Sequence, residues 1–138
     1  MADDNEVRRL GRSLAGHKAT LTRRIASANQ LIASAQTDQS SHIARLLEQM
    51  MDKILGDMDR IEVAGGLYVP ELDDDATEQT AQADIDRVIK LGADKIKDVN
   101  AVLKVLAALA WTATESRTMA DKAPNPFLAY HSPPPHTY

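Results

Sequence analysis

Residues 84–114 read DIDRVIKLGADKIKDVNAVLKVLAALAWTAT, and their apolar positions keep a helical beat. Ile85, Ile89, Gly92, Ile96, Val99, Leu103, Leu106 and Ala110 follow at steps of four and three, the spacing of one face of an α-helix. A second stripe of Val88, Leu91, Val102, Val105 and Leu109 widens that face, and Lys104 is the only charge between Asp98 and Glu115. So broad an apolar arc cannot stand alone in water. Either the rest of the chain covers it or a partner does.

Upstream, the 3.6 period recurs twice. Val7, Leu10, Leu14, Leu21, Ile25, Ala28, Leu31, Ile32 and Ala35 share one side of a helix expected over 5–36, opposite Arg8, Arg9, Arg12 and Arg23. Gly11 and Gly16 weaken it by about 1 kcal/mol each relative to Ala, unless one of them allows a close crossing. A polar break at Thr37–Ser41 supplies Ser40 or Ser41 as an N-cap, and its shortness predicts an antiparallel hairpin. The second helix is expected over 41–63, with Ile43, Leu47, Met50, Ile54, Met58 and Ile61 as its core stripe. Gly65-Gly66 reads as its C-terminal stop. Val69 is expected to be extended, because it precedes Pro70. The acidic run Asp73-Asp74-Asp75 then sits at the positive end of a third helix, expected over 77–117 with a possible kink at Gly92.

The fold class that follows is all-α: an elongated three-helix bundle, made of an antiparallel helical hairpin plus a long third helix, over residues 1–120. Five prolines between Pro124 and Pro135 predict an extended tail over 121–138. With 138 residues, 43% of them hydrophobic, and few aromatics, the core is aliphatic and modest in size. The longest nearly uncharged stretch, Val99–Thr114, is shorter than the ~20 residues of a membrane span and carries Lys104, and the charged start Met1–Arg12 does not read as a secretory signal. The cytoplasm is the expected compartment.

Composition argues against most chemistry. The absence of cysteine removes disulfides, thiol catalysis and thiolate metal ligation. His17 sits at the edge of the first apolar face, His42 in the first turn of the second helix, and His131 and His136 in the tail, so no metal site is expected. The run Glu71–Asp75 lacks the spacing of a calcium loop, and there is no phosphate-binding glycine motif or nucleophile elbow. Neither a catalytic residue nor a cofactor is assigned. An enzyme built around His17 would require it in a cleft beside a carboxylate.

What remains is surface. The apolar face of the third helix is expected to mediate self-association or docking of a protein partner, with Leu103, Leu106, Leu109 and Trp111 as the contact candidates and a homo-oligomer as the expected state. Six basic and no acidic residues lie between Val7 and Gln36. Arg8, Arg9, Arg12 and Arg23 therefore form an anion-binding candidate for nucleic acid or an acidic membrane surface, unless they fold against the chain's own acidic loop. In the tail, Asn125-Pro126-Phe127 resembles the NPF ligand of EH-domain adaptors.

Overall fold

The computed structural model of the protein describes residues 3–122, with side chains over 3–112. Three α-helices follow one another: α1 (Asp4–Ser34), α2 (Ser41–Tyr68) and α3 (Asp75–Lys122), with a short 3-10 turn at Val69–Glu71 before α3. The described residues contain no strand. Each start is capped by a side chain that accepts a backbone N–H. Asp3 takes that of Glu6 at 2.7 Å, Ser40 that of Ile43 at 3.4 Å and Asp74 that of Thr77 at 2.7 Å. Asp4 and Glu6 in α1, and Asp75 and Glu78 in α3, add negative charge where the helix dipole favours it.

Residues up to Leu106 form one compact unit, and a second begins at Ala107. In the first unit the helices run up, down and up. Tyr68 lies on Gly11 and Arg24 pairs with Asp57, so α1 and α2 are antiparallel. Gly65 faces Ile85 and Gly92 faces Met58, so α3 reverses α2 and runs alongside α1. A three-helix bundle results. Its core collects Leu14, Leu21 and Ala28 from α1, Leu47, Ile54 and Ile61 from α2, and Ile85, Val88, Val99 and Leu106 from α3. Burying each large aliphatic side chain contributes about 2 kcal/mol.

Two local expectations, at Gly65-Gly66 and Val69, are corrected. Gly65-Gly66 does not end α2, which continues to Tyr68. Gly65 is buried where α2 meets α3, and a Cβ there would approach Ile85 Cδ1 to 2.7 Å, so the glycine serves close packing and not a cap. The third helix continues through Gly92, which is buried against its neighbours. An added Cβ would meet the Met58 side chain at 2.9 Å and Leu21 Cδ2 at 3.4 Å, and the missing side chain makes room for both. Val69 is helical (φ −57°, ψ −44°) although it precedes Pro70, because it joins the 3-10 turn and packs on the core; Leu72 is the extended residue instead. At its far end α3 reaches Lys122, five residues beyond the expected 117.

Candidate interaction surfaces

Beside α1, α3 leaves an edge uncovered. Its buried line (Val88, Val99, Leu106) faces the core, while Leu91 and Val105, on one side of that line, are 47% and 58% exposed. Two grooves open along the seam between α1 and α3. One, of about 440 Å³, is lined by Ile32, Ala35, Val102, Val105 and Leu106. The other, of about 270 Å³, is lined by Thr22, Ile25, Leu91, Asp94, Lys95 and Asp98. Lys95 Nζ donates to Asp98 Oδ2 at 3.0 Å, placing an ion pair between the apolar stretches.

The four contact candidates on α3 divide. Leu106 is 5% exposed and belongs to the core, so its expected place in an exposed patch is corrected. Leu103 is half-buried and packs on the same core. Leu109 and Trp111, in the second unit, are 41% and 69% exposed. Leu91 and Val105, members of the second apolar stripe that widens the face of the third helix, are surface residues. At about 100° per residue they lie farther round the helix than Val88, Val99 and Leu106, which meet the core.

The basic side of α1 is broken up by local partners. Arg9 is held by Glu6 through a bidentate pair, which lowers the Glu6 carboxyl and raises the Arg9 guanidinium. Arg23 donates to Thr20 Oγ1 at 3.2 Å, and Arg12 Nε reaches the Arg8 carbonyl at 3.5 Å. Arg8, Arg12 and Arg23 are exposed and have no acidic partner among the described residues. They therefore do not fold against the acidic loop.

Two other cations of α1 are built into the bundle. Lys18 Nζ donates to Asp84 Oδ2 at 2.7 Å, and Arg87 reaches the other oxygen of Asp84 at 2.8 Å. Hydrogen bonds from Lys18, then Arg87, hold the Asp84 carboxyl below its ordinary value. Arg24 donates to Asp57 Oδ1 at 2.7 Å, and Arg60 to the same oxygen at 3.0 Å. Asp57 is 1% exposed, the one buried charged side chain among the described residues. The sequence reading missed it, although its place between Ile54 and Ile61 on the core stripe of α2 was the signal.

Around Tyr68, at the end of α2, a further cleft forms. The ring lies on Gly11, whose missing side chain lets it reach α1: a Cβ there would stand 3.1 Å from Tyr68 Cε1. On one side of Tyr68 is a trough of about 510 Å³ lined by Val7, Arg8, Gly11, Arg12 and Ala15. On the other is a trough of about 500 Å³ lined by residues that include Leu14, Lys18, Leu72, Ala76, Thr80 and Asp84.

His17 is half-buried and bonds to no carboxylate among the described residues. Among the described residues no group of three or more His, Asp or Glu side chains is placed to hold a metal ion, and no helix is long and apolar enough to cross a membrane. Asn125, Pro126 and Phe127 lie outside the described residues. Comparison with known protein families, curated proteins and solved structures finds no match.

Proposed function

We propose that this chain is a non-enzymatic interaction module that self-associates through the apolar edge of α3 beside α1. The observation that carries the reading is the exposure of Leu91 and Val105 along a seam already lined by Ile25, Ile32 and Val102. Exposed apolar groups at regular helical spacing lose contact with water when a second helix covers them. The pattern is also self-complementary. An antiparallel second copy, centred between residues 96 and 97 of α3, sets Leu91 against Val102 and Lys95 against Asp98. In these two pairs an apolar group meets an apolar group and a cation meets an anion, and each pair recurs across the axis as a two-fold interface requires. Leu109 and Trp111 are further exposed apolar groups of the same helix.

The cysteine-free chain makes the test direct. Leu91→Cys and Val102→Cys proteins, tagged to differ in length, are mixed and oxidised. The reading expects the mixed disulfide well above the share that random pairing of the two proteins gives. A statistical mixture, or no disulfide, contradicts it.

A second reading, binding of an anionic polymer or membrane surface, rests on Arg8, Arg12 and Arg23 having no acidic partner among the described residues. It expects salt-sensitive binding to oligonucleotides or acidic vesicles, lost in Arg8→Glu/Arg12→Glu/Arg23→Glu. Binding that the triple variant leaves unchanged would refute it.

A further inference from the structure

We propose that the cleft around Tyr68 binds an acidic peptide segment that carries a large apolar side chain. The inference is independent of self-association through α3. It rests on the same unpaired arginines as the second reading and gives them a different ligand.

The two troughs on either side of the Tyr68 ring differ in chemistry. The first contains Arg8 and Arg12 and no acidic residue. One helical turn apart, the two guanidinium groups stand on the same side of α1, and neither has an acidic partner among the described residues. Their neighbours Arg9 and Lys18 are both neutralised, by Glu6 and Asp84. Arg8 and Arg12 are thereby left as the cations of this end of α1 without an acidic partner among the described residues, and they share one shallow trough. In the second trough Leu14, Leu72, Ala76 and Ala81 offer apolar contact, and the Lys18–Asp84 ion pair adds no net charge. At about 500 Å³ each, the troughs are of a size that takes a few side chains.

A complementary ligand places carboxylates on Arg8 and Arg12, crosses the Tyr68 ring, and lowers a leucine- or phenylalanine-sized group into the apolar trough. Guanidinium groups bind carboxylates with charge-assisted, geometrically specific hydrogen bonds. Nucleic acid fits less well, since Tyr68 is the one aromatic ring here and the apolar trough has no phosphate to hold.

The test uses the full chain and a fluorescent peptide of three glutamates, a glycine, a leucine and a phenylalanine, followed by anisotropy. Two control peptides replace the glutamates by lysines or the two apolar residues by alanines; an oligothymidylate tests nucleic acid. The glutamate peptide is expected to bind, and both controls to bind at least about tenfold more weakly. Arg8→Glu/Arg12→Glu is expected to weaken binding about tenfold or more. Thr80→Trp, an exposed substitution that fills the apolar trough, is expected to do the same without changing charge. Arg23→Glu, about 16 Å farther along α1 than Arg12, is expected to leave peptide binding unchanged. Far-UV circular dichroism verifies that each variant is folded. No binding by the glutamate peptide up to about 1 mM, equal binding by either control, or indifference to the Arg8/Arg12 or Thr80 change would overturn the inference. Oligothymidylate binding that Arg23→Glu abolishes, with no peptide binding, would overturn it in favour of the ridge.

Discussion

Adjacent glycines on α2 should respond in opposite directions to the same substitution. In a helix interior, Gly→Ala gains about 1 kcal/mol, because it restricts the unfolded chain and favours the helix. At Gly66 nothing lies within 4 Å of an added Cβ, so that gain stands. For a unit of this size, Gly66→Ala is expected to raise Tm by about 4–8 °C. At Gly65 the new methyl meets Ile85 Cδ1 at 2.7 Å, with Cγ1 at 3.5 Å and Cγ2 at 3.6 Å. Ile85 is itself buried and has little room to withdraw. Overpacking of this kind costs about 1–3 kcal/mol, so Gly65→Ala is expected to come out between neutral and about 2 kcal/mol destabilising. Ile85→Val deletes the offending atom and alone costs about 1 kcal/mol. Together, the new methyl occupies the space that Cδ1 leaves. The double variant should then be less destabilised than the two changes summed, by about 1 kcal/mol or more. Urea denaturation followed by circular dichroism measures all four proteins. If Gly65→Ala stabilises as much as Gly66→Ala, and the cycle shows no coupling, α2 and α3 do not pack as described.

Removing Arg24 leaves the buried Asp57 with Arg60 alone, so Arg24→Ala is expected to cost about 2–4 kcal/mol in chemical denaturation. Arg60→Ala, on the exposed side of the same pair, should cost less than about 1 kcal/mol. Lys18→Met should raise the titration of Asp84 toward its ordinary 3.8, read by carboxyl NMR. Because the folded-state carboxyl of Asp84 is depressed, its pairing stabilises above the unfolded value and is lost as pH falls through the folded one. Wild type should therefore exceed Lys18→Met in stability near neutral pH and converge with it in acid. Leu106→Glu should unfold the first unit, since it buries a carboxylate in the core. Val105→Glu, one residue away but 58% exposed, should leave the first unit folded with wild-type helicity.

The helices and the core stripes were legible because burial imposes a period on the sequence. Ile54 and Ile61, or Val99 and Leu106, declare their side by spacing alone. Less legible was how closely the helices approach. Gly65 and Gly92 have the same composition signature as a helix stop or a kink, and only the positions of Ile85 and Met58 show that they make room for a neighbour. Surface and core were also hard to divide on α3. Its apolar arc is wider than the contact with α1 and α2, and the spacing alone does not say how far round from Leu106 toward Val105 the bundle covers it. Cross-helix pairs escape sequence reading for the same reason: Lys18–Asp84 and Arg24–Asp57 join residues far apart in the chain. The Tyr68 cleft depends on a ring from the end of α2 arriving over Gly11, which no local pattern marks.

The central claim, that the open edge of α3 is where one copy meets another, is tested most directly by solution mass. Light scattering across a concentration series should compare wild type with Leu91→Glu/Val105→Glu. The account predicts that wild type passes from monomer to dimer as concentration rises, and that the charged variant stays monomeric with unchanged helicity. A wild-type monomer at every concentration, or a variant that dimerises equally well, would contradict it.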